Sequence, residues 1–240
     1  MPPKLYLIPN LLSYDGEENL LPSYTAHKII DVRYFMVEGQ KSAQRLLKKF
    51  KPAFPINDCV FFPLNEHTPM KDAKKFFEAV RDKDIGIISE AGCPCVADPG
   101  EAIVLWAHQR GWEIIPLVGP SSILLALMAS GLNGQNFAFH GYLPKDKEKR
   151  LKKIRDLEKR SLLEQETQIF METPYHNEQM FRDILRVCHL KTHLCVACDL
   201  TTPRQYIKTL SVREWQKVNP LIHKRPALFL ILRKKEKDDF

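Results

Sequence analysis

The segment Ile85–Gly100 constrains the fold of this chain more than any other, because it combines a buried strand, a loop and a helix start. Its first five residues read Ile-Gly-Ile-Ile-Ser, and such an apolar run is typical of a parallel strand covered by helices on both faces. Asp98, Pro99 and Glu101 then have the spacing of an N-cap, a first-turn proline and a capping box. The segment therefore predicts a strand, a loop and a helix from Pro99 to Arg110.

The loop at residues 90–97 is a candidate ligand site. It reads Glu-Ala-Gly-Cys-Pro-Cys-Val-Ala, in which Ala and Gly allow a ligand to approach the backbone and Pro stiffens the path. Open α/β sheets bind ligands at the carboxyl ends of their strands, where this loop lies. It matches neither the dinucleotide fingerprint nor the Walker loop. Turn geometry alone also explains such a loop, so both interpretations stay open from the residues.

Strand and helix patterns alternate along the first half of the chain, which predicts a parallel sheet covered on both faces. In the second half, neighbouring strands are not always separated by helices, so we expect a mixed sheet. Gly119 and Pro120 mark the joint and predict two α/β domains, 1–118 and 119–240. The predicted strands are Lys4–Pro9, Ile29–Val37, Cys59–Phe62, Ile85–Ser89, Glu113–Val118, Phe137–His140, Thr167–Met171, Thr192–Cys198, Arg204–Thr209 and Ala227–Leu232.

Positive charge is concentrated in one segment of the second half. The net charge is +7, which favours polyanionic partners. The segment Lys145–Arg160 is rich in Lys and Arg, and Leu151, Ile154 and Leu157 recur every three residues within it. A helix could anchor itself through these three and turn the bases toward solvent. Contact with RNA and a merely solvated helix face both fit this pattern.

The cysteines and the apolar segments indicate the cellular compartment in which the protein is expected. The chain has six Cys and begins Met-Pro-Pro-Lys, which is no secretory signal, so we expect reduced thiols and a cytoplasmic protein. The apolar helix predicted at Ile123–Ser130, capped by Ser121 or Ser122, is too short to cross a bilayer and should be buried all round. Five Cys and His residues lie close together in the sequence and could suggest a metal site: Cys188, His189, His193, Cys195 and Cys198. We expect none there, because side chains three residues apart on a strand point to opposite faces and could not share a metal ion.

Four segments in this order and spacing resemble the tetrapyrrole methylase superfamily over nearly the whole chain: Ile85–Gly100, Pro116–Ser122, Phe139–Pro144 and Met171–Tyr175. Within it, the chain is most similar to the ribosomal RNA small-subunit methyltransferase I branch. The resemblance implies two α/β domains with a cofactor cleft between them, use of S-adenosylmethionine, methylation of a ribose 2′-hydroxyl of ribosomal RNA or the small ribosomal subunit, and a homodimer.

The resemblance also implies which residues bind the cofactor, largely through backbone groups. From the residues alone, Ser121 could be only a helix cap, Met171 and Cys198 only core residues, and Pro226 only the start of a strand. The implied cofactor-binding residues are Pro9, Ala91, Gly92, Cys93, Val96, Ser121, Ser122, Met171, Cys198, Pro226 and Ala227.

The residues expected to act on the methyl acceptor lie at the end of the second strand, where the ribosomal RNA methyltransferase branch has an acidic-acidic-Thr-Arg motif. This chain has Glu-Gly-Gln-Lys at residues 38–41. Glu38 is therefore the candidate proton acceptor and Lys41 the candidate phosphate contact, although a carboxylate at a strand end also serves as a cap or is simply solvated. His140, Glu172 and His176 border the expected cleft as further candidates.

Three departures from the family pattern affect the substrate more than the fold. The turn after the first strand is Pro9-Asn10-Leu11, the central loop has Gly92-Cys93-Pro94, and a motif near the end has become Lys224-Arg225-Pro226. Two rival functions therefore stay open. One is methylation of a small molecule such as a corrinoid or tetrapyrrole precursor, and the other is a non-catalytic RNA-binding protein that retains the fold.

Overall fold

A computed structural model describes residues 2–16 and 20–235, which fall into two compact units, 1–121 and 122–240. The first unit contains a parallel sheet and the second a mixed sheet, both with helices. The predicted fold class is therefore confirmed. The predicted boundary lies three residues earlier than the division between the units, and the two domains as such stay a prediction.

The first unit has five parallel strands in the order β3-β2-β4-β1-β5. Buried side chains from four helices cover both faces in two separate clusters. The elements are β1 Lys4–Ile8, α1 Ser23–Ile29, β2 Tyr34–Val37, α2 Gln40–Phe50, β3 Val60–Pro63, α3 Met70–Ala79, β4 Ile85–Ile88, α4 Glu101–Gln109 and β5 Glu113–Pro116.

The central strands pack too closely for a side chain at one position. All four residues of β4 are buried, and a Cβ on Gly86 would lie 2.5 Å from Cδ1 of Ile8 and 2.9 Å from Cδ1 of Phe35. Any larger residue would have to displace the Ile8 and Phe35 side chains from the packed face of the sheet. The glycine in the apolar run therefore sets the sheet packing.

The second unit has five strands in the order β6-β7-β10-β8-β9. Only β6 and β7 pair in parallel among the described strands of this sheet, and the other neighbours pair antiparallel. The elements are α5 Ser122–Ser130, β6 Phe137–Tyr142, α6 Lys147–Glu164, β7 Thr167–Glu172, α7 Asn177–Val187, β8 His193–Cys198, β9 Tyr206–Ser211, α8 Val212–Trp215 and β10 Ala227–Leu232.

The basic helix α6 forms as predicted, but one of its bases does not face solvent. Asp146 caps it by accepting a hydrogen bond of 2.9 Å from the Lys149 N–H, and Leu151, Ile154 and Leu157 are buried. Arg150 is also buried, with Nη2 at 2.7 Å from Oδ2 of Asp183. The prediction that all the bases point outward is therefore wrong for Arg150.

The helix start predicted at Pro99 is wrong as well. Helix α4 begins at Glu101, and its N-cap is Gly100, with φ +132° and no side-chain hydrogen bond to the helix. This backbone geometry favours glycine, so the chain turns into the helix two residues after Asp98. Asp98 is consequently a residue of the loop and not a cap.

Two further predictions are corrected by burial and by element bounds. The second strand is Tyr34–Val37, because Ile29 ends α1. Helix α5 is not buried all round, since Leu124 is 51% and Met128 79% exposed. Within the described ranges, no helix is both long and apolar enough to cross a bilayer.

Candidate active site

The carboxyl edge of the first sheet brings three predicted site segments into one row. Ile88 of β4 pairs with Ile8 of β1 on one side and with Val37 of β2 on the other. Because these strands are parallel and end level, the residues that follow them lie side by side. They are Pro9, Glu38 and the loop that starts at Ser89, which we call the β4 loop (residues 89–100).

Asn10 fastens the start of the β4 loop to the end of β1. It exchanges two backbone hydrogen bonds with Gly92, of 2.9 and 3.1 Å. Its side-chain amide donates to the carbonyls of Ser89 and Glu90, both at 3.0 Å, and to Oγ of Ser42 at 2.9 Å. Asn10 is fully buried, so these bonds replace water at a position where loss of a partner is costly.

The Oδ1 atom of Asn10 is also satisfied. It accepts from the Leu11 N–H at 2.8 Å and from the Tyr14 hydroxyl at 3.0 Å. The guanidinium of Arg45 lies 3.8 Å from the centre of the Tyr14 ring, a cation–π distance. The turn after β1 thus forms a hydrogen-bond network around Asn10, which sequence analysis did not predict.

Glu38 contacts the same loop. Its Oε2 accepts a hydrogen bond of 3.1 Å from the Glu90 N–H, and a Cβ on Gly39 would overlap the Glu90 carboxylate. Glu38 is partly exposed and Lys41, in the first turn of α2, is exposed. The structure therefore places the two predicted acceptor-side residues at this edge, and their catalytic roles stay predictions.

The middle of the β4 loop has an unusual backbone. Gly92 has φ +71°, and the non-glycine residues Cys95 and Ala97 have φ +66° and +63°. Positive φ costs a residue with a Cβ about 1–3 kcal/mol and is most common at ligand and active sites. Ala91 and Val96 are exposed on this loop, so these two positions are accessible to a ligand.

Burial and neighbouring carboxylates change the acid–base behaviour of the loop. Burial, together with Glu38 and Glu90, raises the pKa of Asp98 from 3.8 to about 6, although the Ser89 hydroxyl opposes this. Burial followed by the charge of Asp98 raises the pKa of the Cys95 thiol to about 11. The loop therefore holds an acid that titrates near neutrality beside an unreactive thiol.

The segment after β5 closes the other side of the loop. Sγ of Cys93 lies 3.5 Å from the Pro120 carbonyl, to which it donates. A Cβ on Gly119 would overlap the ring of Pro9, so this glycine permits a close approach of two strand ends. Ser121 is the last residue of the first unit.

The remaining predicted cofactor residues meet at one edge of the second sheet. Ala227, the first residue of β10, pairs with Glu172 of β7 and with Cys198 of β8, and Met171 pairs with Leu228. Cys198 and Ala227 are buried in the core of this unit, which agrees with their alternative role as core residues. Ser122 is the first residue of α5.

An ion pair fixes the loops at this edge. Nε of Arg225 donates to Oδ2 of Asp199 at 2.8 Å, and the guanidinium also donates to the Arg204 carbonyl at 2.5 Å. Asp199 and Thr201 have positive φ, which again marks a constrained loop. The departure from the family pattern at Arg225 therefore has a structural partner.

His140 belongs to a chain of polar groups on the second unit. Its Nε2 lies 2.7 Å from Oε1 of Gln168, whose Nε2 donates to Glu166 at 2.7 Å. Glu166 accepts from Nε of Arg160 at 2.8 Å. Burial, and then the charges of Lys153 and Arg160, lower the pKa of His140, against the effect of the bond to Gln168.

The other two candidates at this edge bond locally. Glu172 accepts from the Thr173 N–H at 2.7 Å, and His176 lies 3.1 Å from the Thr173 hydroxyl. In the described ranges, no group of three or more His, Cys, Asp or Glu side chains is arranged to hold a metal ion.

The chain is similar to proteins named ribosomal RNA small subunit methyltransferase I. It is 27% identical to the one from Vibrio cholerae over 213 residues, which are 88% of this chain and 70% of that protein. It is 30% identical to the one from Bacillus subtilis over 172 residues, 71% of this chain and 55% of the relative. With the Pasteurella multocida relative the matched share of the relative is 57%. The chain thus spans only part of these proteins, less than two thirds of the last two. No family model matches it.

Solved structures show the same fold at low sequence identity. The methyltransferase CobJ superposes with a TM-score of 0.61 at 17% identity, covering 96% of this chain and 93% of its own. Diphthine synthase superposes with a TM-score of 0.64 at 12% identity, covering 95% and 89%. The predicted likeness and the predicted enzyme class, a methyltransferase, are confirmed by these relatives taken together.

Proposed function

Because the chain has the tetrapyrrole methylase fold and is a relative of ribosomal RNA small subunit methyltransferase I, we propose that it transfers a methyl group from S-adenosylmethionine to a ribose 2′-hydroxyl of ribosomal RNA. The strongest support is the sequence likeness over 88% of the chain, since it extends through both units. The proposed acceptor would place the enzyme in the cytoplasm. A homodimer is part of the same proposal, and sedimentation of the purified chain tests it.

The β4 loop has the chemistry that this cofactor needs. S-adenosylmethionine supplies an electrophilic methyl group on a positively charged sulfur. Three carboxylates, Glu38, Glu90 and Asp98, lie at or beside the loop, and their charge suits a cationic ligand. The residues Ala91 and Val96 are exposed, so a ligand can reach the loop at these two positions. We assign the cofactor to this loop and retain Pro9, Gly92 and Cys93 as its neighbours.

We also retain the second group of predicted cofactor residues: Ser121, Ser122, Met171, Cys198, Pro226 and Ala227. Four of these lie together at one sheet edge, where Ala227 pairs with Cys198 and the Pro226 carbonyl accepts from the Asp199 N–H at 3.0 Å.

The chain's own residues have two tasks in this reaction. The first is to hold the acceptor oxygen in line, which can lower the barrier by roughly 7–11 kcal/mol through positioning alone. The second is to take the hydroxyl proton, for which Glu38 is the predicted group and Asp98, with its pKa of about 6, is a second candidate. An acid that is ionised at neutral pH but close to titration is well matched to accepting a proton.

Calorimetric titration with S-adenosylmethionine tests the cofactor site. Gly92→Trp would strain a backbone at φ +71°, so the sharper variant is Ala91→Trp, which fills the loop from an exposed position. Ala53→Trp, exposed in a distant turn, is the matched control. We expect binding to the native protein and to the control and its loss in the loop variant; no binding to a folded native protein would contradict the proposal.

The acceptor is tested by transfer of a labelled methyl group to small-subunit ribosomal RNA and, in parallel, to a corrinoid precursor. A 2′-O-methyl group removes the hydroxyl that attacks the adjacent phosphodiester in alkali, so the labelled nucleotide should resist alkaline cleavage. Label only on the corrinoid would favour the small-molecule methylase. RNA binding without any transfer would favour the non-catalytic protein.

A further inference from the structure

Tyr175 is the most exposed aromatic residue in the described ranges, and a positive charge lies over its ring. It is 68% exposed and belongs to the single turn Pro174–His176 that follows β7. Nζ of Lys224 is 5.7 Å from the centre of the ring, which is a cation–π distance. Lys224 is itself exposed. We call Tyr175 and Lys224 the loop pair.

A second tyrosine and lysine form a similar contact for a simpler reason. Nζ of Lys28 is 5.3 Å from the centre of the Tyr24 ring, and Tyr24 is 54% exposed. These two residues, which we call the helix pair, are four positions apart on α1, where helical spacing alone makes them neighbours. A surface tyrosine of this kind needs no functional explanation. The loop pair instead joins the turn after β7 to the loop before β10, so its contact depends on the tertiary structure.

Hydrogen bonds fix these two loops against each other. The Lys224 N–H donates to the Pro174 carbonyl at 2.9 Å. Asn177 is fully buried, and its side-chain amide donates to the Arg225 carbonyl at 2.6 Å. Lys224 has φ +58°, a backbone conformation that is costly for a residue with a Cβ and most common at functional sites. The backbone that carries the loop pair is therefore in place before a ligand arrives, which lowers the entropy cost of binding.

The charge around the loop pair indicates the class of ligand. Asp199 is bound to Arg225 at 2.8 Å, and Glu178, in the first turn of α7, lies 3.9 Å from Arg182. Lys224 forms no ion pair with any residue that the structure describes. S-adenosylmethionine has a cationic sulfur, an ammonium and one carboxylate, so its net charge is positive and this lysine repels it. A phosphate group is attracted.

The ring of Tyr175 indicates the other half of the ligand. An exposed tyrosine ring offers a flat surface on which a nucleic-acid base can stack, and every base has a face that suits it. A base can be used in this way only where it is unpaired and can be splayed out. An exposed ring beside an exposed ammonium therefore matches a single-stranded nucleotide, in which a base and a phosphate lie close together.

We propose that an unpaired base of the acceptor RNA stacks on the Tyr175 ring while Lys224 binds an adjacent phosphate. The inference rests on the proposed function, because it takes RNA as the partner. Stacking contributes affinity that tolerates changes of sequence, and the phosphate contact makes the affinity depend on salt. The loop pair holds the RNA at this edge of the second sheet and takes no part in methyl transfer.

Binding of a fluorescent oligouridylate to the full chain tests the ring. Tyr175→Ala should weaken binding on the order of tenfold, because it removes the stacking surface. Tyr175→Phe keeps the ring and should stay within about twofold of the native affinity. The matched control is Tyr24→Ala, which removes a tyrosine of similar exposure beside a lysine and should also change binding less than about twofold.

The salt dependence of the same binding tests the lysine. Lys224→Gln should reduce the slope of affinity against salt by about 0.7, the value for one phosphate contact on a single strand. Lys28→Gln, in the helix pair, removes the same charge and should leave the slope unchanged. A slope that responds equally to both substitutions would assign the effect to overall charge and overturn the phosphate contact.

Stacking itself has a spectroscopic readout. An oligouridylate that carries one 2-aminopurine, placed at each position in turn, loses fluorescence where the base stacks on an aromatic ring. At saturating protein, one position should be quenched by the native chain and by Tyr175→Phe, and not by Tyr175→Ala. Quenching that persists in Tyr175→Ala would overturn the proposed stacking.

Titration of the same variants with S-adenosylmethionine separates this proposal from the proposed function. Tyr175→Ala should bind the cofactor as the native protein does. Weaker cofactor binding with unchanged RNA affinity would assign the ring to the cofactor and overturn the loop pair, as would equal effects of Tyr175→Ala and Tyr24→Ala on RNA; RNA remains the acceptor in both cases. If the native protein binds the cofactor and no RNA, RNA fails as the acceptor and the loop pair fails with it.

Discussion

Replacing Asn10 with Ala should strongly destabilise the protein, because this buried side chain makes several hydrogen bonds that hold the β4 loop against the end of β1. The substitution removes the amide that bonds the Ser89 and Glu90 carbonyls and the oxygen that accepts from the Leu11 N–H. Ser89 and Leu11 are buried, so two of these groups lose their partner away from water. At about 1–3 kcal/mol for each, we expect a loss of roughly 2–6 kcal/mol in the free energy of unfolding.

Urea unfolding measures this loss, with Asn136→Ala as the control. Asn136 is exposed, and its side-chain amide donates a hydrogen bond of 2.8 Å to the Glu164 carbonyl. Its replacement should therefore lower the free energy of unfolding by about 1 kcal/mol or less. Asn10→Asp keeps an oxygen for Leu11 but turns a second oxygen toward two carbonyls, and it should be as harmful as Ala at neutral pH. A cost below about 1 kcal/mol for either Asn10 variant would refute this account of the loop.

Three further changes have defined outcomes. The pKa of Asp98 is raised from 3.8 to about 6 by folding, so the folded state binds more protons in that window and stability falls as the pH rises through it. Asp98→Asn should therefore raise the free energy of unfolding by about 1–2 kcal/mol at pH 7, after allowance for solvent screening, and should not change it below about pH 4. Urea unfolding at both pH values measures this difference. Arg150→Ala leaves the Asp183 carboxylate buried without its partner and should cost about 3–5 kcal/mol by the same method, whereas a cost under 1 kcal/mol would show that the pair is dispensable. Gly119→Ala forces a methyl group onto Pro9 and should lower stability by about 1–3 kcal/mol in thermal unfolding; an unchanged midpoint would mean that the strand ends separate easily.

The strands were predictable because each carries its own pattern. Residues such as those of β4 form a short apolar run bounded by polar loops, and this local signal needs no knowledge of the partner strand. The order of the strands in the sheet could not be predicted in this way. That β1 lies between β4 and β5 depends on packing among segments about 80 and 110 residues apart, and no local pattern contains it.

The site was predicted less completely, for identifiable reasons. Asp98 and Glu101 have the spacing of a cap, but the helix start is decided by the dihedral angle of Gly100, which composition does not reveal. Asn10 looked like a departure from a family pattern, since its network depends on contacts with distant residues. Arg150 could have been found, because it lies four residues before Ile154 and so on the buried face of the helix.

The position of β1 in the middle of its sheet has a consequence for how the chain acquires its structure. Strand β1 is made before both strands that it pairs with, whose residues begin at 85 and 113, so neither of these neighbours is present during synthesis of the intervening segment. Contacts that distant in sequence are formed slowly, and an unpaired apolar strand is exposed to aggregation while it waits. Nascent chains stalled before β5 should therefore be captured by chaperones, and expression yield should respond more to the rate of translation over residues 10–113 than to any change in the finished site.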